Sequence, residues 1–206
     1  EARGGGRGVR LPLAYSLLPI ASCLLPLASR PICRGSGKDM ITKTKATIED
    51  LYNVPDKGKA EIVNGELILM APTGVDPNYA AGEIFASLRE YARCKKTGRA
   101  TTDNAGFNVN LPDRGSLSPD AAFYVGEIKG MKFFEGAPVF AAEVRSEGDY
   151  GQEAEKRVDY FAAGTLVIWD VDLRSEPVVR VYRASDPGNP TLYRRGEVAE
   201  AEPWVP

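Results

Sequence analysis

The sequence predicts a mixed α/β (α+β) domain in which helices flank a mixed β-sheet. Apolar residues recur at helical spacing in two segments, and short apolar runs bounded by turn residues indicate several strands. These segments follow one another as hairpin, helix, strands, helix and strands, which is typical of helices packed on the faces of a sheet. The length of 206 residues suits one domain with a sizeable core.

A β-hairpin and a helix open the predicted domain. Asn64-Gly65 lies between the apolar residues of Ala60–Met70, and both residues accept the positive φ of a tight hairpin turn. Asp76 is then expected to cap a helix that has Pro77 at its first position and stops near Gly98.

Further strands and a second helix complete the pattern. Apolar runs between turn signals predict strands at Gly106–Leu111, Pro119–Val125, Pro138–Arg145, Thr165–Val171 and Val178–Arg183. An Asp-x-x-Gln capping pattern at Asp149 predicts a helix that runs through Lys156 and Tyr160 to Gly164. We expect Tyr160 to be an aromatic residue of the core.

Residues 1–39 differ from the rest of the chain. A Gly/Arg-rich stretch precedes nineteen uncharged residues, in which a Leu-Pro-x-Ala unit recurs every seven residues. Regular prolines disfavour a membrane-spanning helix, whereas basic residues before an apolar run leave a secretory signal open. We expect residues 1–39 to be a disordered or non-native extension from a mis-assigned start, and residues 40–206 to form one domain.

Charge is divided unevenly along the chain. Residues 1–39 carry six basic and two acidic side chains, a net charge of +4, which leaves −6 for the remainder of a chain with a total of −2. An acidic domain lacks the basic surface that is typical of a general nucleic-acid-binding protein. Carboxylates that hold a cation also contribute to such a negative total.

The composition excludes several kinds of active site. The chain contains no histidine, which rules out Ser-His-Asp and Cys-His catalysis and zinc held by histidine. Hydrolytic chemistry would therefore depend on carboxylates, lysine, tyrosine or a metal held by oxygen ligands.

Cysteine usage fits a reducing compartment, and we expect a cytoplasmic protein. Cys23 and Cys33 lie in the N-terminal segment, so Cys94 is alone in the predicted domain and can form no internal disulfide there. With no histidine to activate it, Cys94 is expected to be a small buried residue rather than a catalytic thiol.

Two acidic residues form the candidate site. Strand alternation places Glu143 inside an apolar strand, where an ionised carboxylate is costly unless it is paired or bound to metal. Asp120 opens another apolar strand, so the two carboxylates can converge on one cation if these strands are neighbours. Magnesium or manganese prefers such oxygen ligands. The alternative is that Asp120 caps a turn and Glu143 pairs with Arg145 or with a lysine.

The order of these features resembles the restriction-endonuclease-like Uma family of PD-(D/E)xK nucleases. The resemblance covers residues 46–185. It rests on the hairpin Glu61–Leu67, the loop Ala71–Gly74, Pro119-Asp120, Glu143–Ser146, Lys156 with Tyr160, and the later Gly164, Trp169 and Asp172.

This resemblance implies roles for the acidic residues. Asp120 would be the motif aspartate and a metal ligand, and Glu143 would be the second acidic ligand. Glu61 would be an auxiliary acid, and its alternative interpretation is an exposed charge on the hairpin.

The resemblance also implies a cationic partner for the two acids. Arg145 stands two residues after Glu143, where the motif lysine belongs, and it can stabilise negative charge but cannot act as a general base. In this family the lysine role is thought to move to the following helix, which points to Lys156. Its alternative interpretation is a solvated lysine that pairs with Glu153 or Glu155.

The function implied is a Mg²⁺- or Mn²⁺-dependent endonuclease that hydrolyses DNA phosphodiester bonds. We expect it to act as a homodimer, by analogy with enzymes that cut both strands, and to have no membrane partner. One alternative is a catalytically inactive member of the same fold that binds nucleic acid or protein. Another is a metal-dependent hydrolase of a smaller phosphate ester.

Overall fold

The computed structural model describes residues 45–54, 58–130, 132–145, 153–176 and 178–201. The helices of this part are Ile48–Tyr52 (α1), Val75–Lys95 (α2) and Glu153–Ala163 (α3). Its strands are Ala60–Val63 (β1), Glu66–Leu69 (β2), Arg99–Thr102 (β3), Phe107–Asn108 (β4), Ser116–Leu117 (β5), Ala121–Tyr124 (β6), Phe134–Glu135 (β7), Phe140–Val144 (β8), Val167–Val171 (β9), Val179–Arg183 (β10) and Asp186–Tyr193 (β11).

The largest sheet is mixed and has six strands in the order β11-β10-β9-β8-β6-β3. Its neighbouring strands are antiparallel except β8 and β9, which are parallel and are connected through α3. The prediction of a mixed sheet with helices on its faces is therefore confirmed.

Each face of this sheet packs against its own helix. On one face, Ile84 and Leu88 of α2 pack against a cluster that includes Phe123, Phe140 and Trp169. On the other face, Tyr160 of α3 packs in a second cluster, whose members from the large sheet include Ala122, Ala141 and Ile168. Ala141 of β8 belongs to this second cluster. Because side chains alternate along a strand, Glu143 points to the same face as Ala141, toward α3.

Two smaller sheets lie beside the large one. The hairpin of β1 and β2 turns at Asn64 and Gly65, whose φ angles are 52° and 73°, as the sequence predicts. A three-stranded sheet has the order β5-β4-β7. A single bridge from Val63 to Arg114 joins the hairpin to the segment before β5.

The start of α2 differs from the prediction. Its N-cap is Gly74, and the amide of Asn78 donates to the carbonyl of Gly74 at 3.0 Å. Asp76 and Pro77 therefore lie inside the first turn, where an acidic residue and a residue without an N–H are both favourable. The helix ends at Lys95, and its C-cap residue Lys96 adopts a left-handed conformation with φ 54°.

Two further predictions are wrong or incomplete. Cys94 lies on the exposed side of α2, where its thiol contacts Glu90 at 3.4 Å, so it is not buried. The strand predicted at Gly106–Leu111 is reduced to the two residues of β4. The Asp149 capping pattern and residues 1–39 lie outside the described residues. Within the described part of the chain, no helix is long and apolar enough to cross a membrane.

Candidate active site

Asp120 and Glu143 lie on neighbouring strands, as the sequence requires for a shared cation. Strands β6 and β8 are antiparallel with Ala121 opposite Ala142, so the next residue outward on each chain places Asp120 beside Glu143. The amide of Asp120 donates to the carbonyl of Ala142 at 3.1 Å. The amide of Val144 donates to Oδ2 of Asp120 at 2.8 Å and fixes the orientation of this carboxylate.

Glu143 points toward α3 and is mostly buried, with 20% of its side chain exposed. Its Oε1 accepts a hydrogen bond from the Tyr160 hydroxyl at 2.5 Å and lies 3.0 Å from Nζ of Lys156. Among the described residues, Oε2 has no hydrogen-bond or ion-pair partner. Burial raises the pKa of Glu143 to about 7, because the nearby Lys156 ammonium offsets only part of the desolvation cost.

Lys156 projects from the first turns of α3 into the site. Its Nζ lies 3.0 Å from Glu143 Oε1 and 3.1 Å from Glu61 Oε1, and 15% of its side chain is exposed. Burial lowers the pKa of Lys156, but the two carboxylates outweigh this effect and hold the pKa above its ordinary value. The interpretation of Lys156 as a solvated lysine that pairs with Glu153 or Glu155 is therefore wrong. Glu155 of the same helix is exposed.

Glu61 is a buried member of the cluster rather than an exposed hairpin charge. Only 1% of this residue is exposed. Its Oε1 accepts from the amide of Ser118 at 2.8 Å, and its Oε2 accepts from Nη1 of Arg114 at 2.9 Å. With Lys156 as a third partner, Glu61 has both oxygens engaged, so its position suits holding the lysine in place.

Arg145 lies just after β8, on the same face as Glu143, but its guanidinium binds Asp170. Nε donates to Asp170 Oδ1 at 2.6 Å, and Nη2 pairs with Oδ2. Asp170 lies opposite Glu143 on the neighbouring strand β9. Its Oδ2 also forms an ion pair with Nη1 of Arg157 at 3.5 Å. A bidentate pair with a buried aspartate holds Arg145 in a fixed orientation beside the site.

Three contributors were missed by sequence reasoning. Lys59 lies 3.2 Å from Asp120, Arg114 connects Glu61 to Asp159, and the hydroxyl of Tyr160 reaches Glu143 from an otherwise apolar core position. Lys59 is two residues before Glu61, so strand alternation is a signal that could have placed both side chains on one face. Arg114 and the Tyr160 hydroxyl leave no such pattern.

The donor set suits a hard cation with few protein ligands. Asp120 and Glu143 offer adjacent carboxylates, and the Oε2 of Glu143, which has no partner among the residues that the structure describes, is one available ligand. Within the described ranges, no group of three or more acidic or cysteine side chains is arranged around a common point. Magnesium is commonly bound by one or two carboxylates together with water and phosphate oxygens, so this two-carboxylate arrangement fits it.

Known proteins resemble both the sequence and the fold. The Uma2 family, described as "putative restriction endonuclease", matches residues 46–206. A crystal structure described as a putative nuclease belonging to DUF820, from Anabaena variabilis, has a TM-score of 0.57 and 19% identity. That match covers 73% of this chain and 85% of the other. No curated protein matches the sequence. Because the family match spans most of the chain, including the hairpin, β6, β8 and α3, this protein belongs to the Uma2 family.

Proposed function

We propose that this protein is a divalent-metal-dependent nuclease that hydrolyses phosphodiester bonds of DNA. The observation that carries the proposal is the placement of Asp120 beside Glu143 on antiparallel strands, with Lys156 3.0 Å from Glu143. Membership of the Uma2 family, described as "putative restriction endonuclease", supports DNA as the substrate. Asp120 and Glu143 would hold Mg²⁺ or Mn²⁺.

The residues divide the work of hydrolysis between them. A divalent cation held by Asp120 and Glu143 would polarise a phosphoryl oxygen as a Lewis acid and lower the pKa of a bound water. Asp120 is held by the Val144 amide and Glu143 by the Tyr160 hydroxyl, so both carboxylates are oriented before any ligand binds. Such preorganisation avoids the cost of reorienting dipoles during the reaction.

Lys156 would stabilise the negative charge that develops on the phosphate. Its raised pKa keeps the ammonium protonated at neutral pH, so it serves as a cation and hydrogen-bond donor rather than as a general base. Arg145 is a further cation on this face of the sheet. Because arginine is always protonated, the ion pair with Asp170 would hold a positive charge in a fixed position next to the site.

We further propose a cytoplasmic homodimer, since two sites related by symmetry would cut both strands of a duplex. A catalytically inactive nucleic-acid- or protein-binding role is the second candidate. The arginine at the motif-lysine position and the net charge of −6 outside residues 1–39 favour this candidate. The third candidate is hydrolysis of a smaller phosphate ester.

Cleavage of supercoiled plasmid DNA with Mg²⁺ or Mn²⁺ tests the proposal. Wild type should nick or linearise the plasmid, and Glu143→Gln should reduce the rate at least about 100-fold, because it removes the charge but retains the shape. Glu155→Gln is the matched control, since Glu155 is exposed on α3, and it should cleave like wild type.

Three outcomes would redirect the proposal. DNA binding without cleavage under either metal would favour the inactive binding protein. Hydrolysis of a small phosphodiester alone would favour the third candidate. Full activity of Glu143→Gln would refute the site assignment.

A further inference from the structure

Lys59 bridges the proposed metal ligand Asp120 to a second aspartate. Its Nζ lies 3.2 Å from Oδ1 of Asp120 and 2.5 Å from Oδ1 of Asp103, which follows β3. Only 14% of the Lys59 side chain is exposed, and 11% of that of Asp120. The ammonium is therefore a built part of the site and not a surface charge that happens to be near it.

The two lysines of the site bracket the carboxylate pair. Lys156 contacts Glu143 on one side, and Lys59 contacts Asp120 on the other. These four side chains carry no net charge when all are ionised. A dication approaching the pair meets two carboxylates that are already compensated, so its attraction to them is weakened.

Lys59 uses the oxygen of Asp120 that is best placed to bind a metal. Oδ2 is engaged by the Val144 amide, a backbone contact within the sheet that cannot move without disturbing β8. Within the described part of the chain, the partner of Oδ1 is Lys59, at the longer distance of 3.2 Å. A cation that takes Oδ1 must therefore share this oxygen with an ammonium group or displace it.

Asp103 can retain the Lys59 ammonium as an ion-pair partner after the ammonium leaves Asp120. It holds Lys59 at the shorter distance of 2.5 Å, and 29% of its side chain is exposed, so its charge is partly hydrated. Its Oδ1 also accepts from the amide of Asn104 at 2.8 Å, which fixes the carboxylate. Lys59 can leave Asp120 without becoming an unpaired buried charge.

We propose that Lys59 competes with the divalent cation for Asp120, and that Asp103 retains Lys59 when the cation is bound. Lys59 and Asp103 together would then set the affinity of the site for metal. This inference rests on the proposed function, because it takes Asp120 and Glu143 as the metal ligands. It concerns positioning residues that act through Asp120.

Mn²⁺ titration of the full chain by isothermal calorimetry, without nucleic acid, tests the competition. Lys59→Met should bind Mn²⁺ about tenfold more tightly than wild type, since a positive charge next to the dication is removed. Asp103→Asn should bind it more weakly, because Lys59 then depends on Asp120 alone. Adding Asp103→Asn to Lys59→Met should have no further effect. Lys129→Met is the matched control, with a lysine that is 69% exposed, and should match wild type.

Unchanged or weaker binding in Lys59→Met would overturn the inference, and so would an unchanged affinity in Asp103→Asn. Thermal unfolding of each variant checks that it folds, and Lys59→Gln repeats the test if Lys59→Met does not. The proposed function fails separately if wild-type binding survives in both Asp120→Asn and Glu143→Gln. If neither wild type nor Lys59→Met binds Mn²⁺, both proposals are wrong.

Discussion

Glu143 is a buried acid whose pKa is strongly raised. Its carboxylate is buried between Tyr160 and Lys156, close to the charges of Asp120 and Glu61, and the combined effect raises its pKa to about 7. The group therefore changes its charge within the physiological range, unlike an ordinary glutamate. A cation bound beside it would favour the ionised form.

This raised pKa predicts how metal binding depends on pH. Without metal, Glu143 keeps its proton up to about pH 7 in the folded protein, whereas the unfolded chain releases it above about 4.5. This proton stabilises the folded state at low pH, and the stabilisation is lost as pH rises through about 7. Mn²⁺ would bind the ionised carboxylate of Glu143, so the affinity of the protein for Mn²⁺ should fall about tenfold for each unit of pH below 7. The increase in Tm caused by Mn²⁺ should thus be larger at pH 8 than at pH 6.

Thermal unfolding with Mn²⁺ and with EDTA at both pH values measures this difference. Glu143→Gln should remove the pH dependence, whereas Glu155→Gln should preserve it. An equal increase in Tm at pH 6 and pH 8 in wild type would show that Glu143 does not control binding.

At the scale of elements, the site depends on contacts between parts of the chain that are distant in sequence. Arg114 precedes β5 and donates to Glu61 of the hairpin at 2.9 Å and to Asp159 of α3 at 2.8 Å. Because Glu61 in turn holds Lys156, one arginine connects the hairpin, the small sheet and the helix that supplies the lysine.

Arg114→Met should destabilise the fold by about 3 kcal/mol, since it leaves the buried Glu61 carboxylate with less compensation. Urea denaturation measures this loss. Arg195→Met is the control, because the pair of Arg195 with Glu176 is exposed and should contribute less than about 1 kcal/mol. Equal losses in the two variants would contradict the role given to Arg114.

Elements with strong local patterns were predictable. The hairpin at Asn64-Gly65 and the strands β6, β8, β9 and β10 follow from turn residues and apolar runs, because local chemistry and burial agree there. Strand β11 has no such pattern, since Pro187 and Pro190 lie within it and normally indicate a turn. An edge strand tolerates proline because one side of it needs no sheet partner, and only the fold reveals that position.

The remaining short elements depend on tertiary contacts. Strand β4 has two residues, and its partners β5 and β7 are equally short, so none provides enough residues for a period-two pattern. Helix α1 has five residues and is held by the hydrogen bonds between Thr47 and Asp50. Such elements form because neighbouring segments bury them, which one stretch of sequence does not encode.

At the scale of the whole molecule, the candidate site gathers residues from segments that are far apart in the sequence. Asp120, Glu143 and Lys156 were predictable because a motif order known from a family accompanies them. Strand alternation could have placed Lys59 on the same face as Glu61, but it does not predict that the lysine is buried, because charged residues are usually exposed. No sequence pattern indicates Arg114, whose burial depends on its ion pairs with Glu61 and Asp159. The sequence therefore indicates the candidate acidic residues better than the charged side chains that pair with them.

Residues 1–39 are predicted to be dispensable for the thermal stability of the domain. The family match begins at residue 46, and among the described residues the two core clusters begin at Ala80. Deletion of residues 1–39 should change Tm by less than about 2 °C, which corresponds to under 1 kcal/mol for a domain of this size. Differential scanning calorimetry of both chains checks this, and a large decrease in Tm would show that the segment packs on the domain.

The position of the cation is the most direct test of the central claim. Crystals grown with Mn²⁺ should show an anomalous difference peak about 2–2.5 Å from carboxylate oxygens of both Asp120 and Glu143. A peak that contacts neither carboxylate, in a protein that cleaves DNA with Mn²⁺, would contradict the assignment of these residues as the metal site.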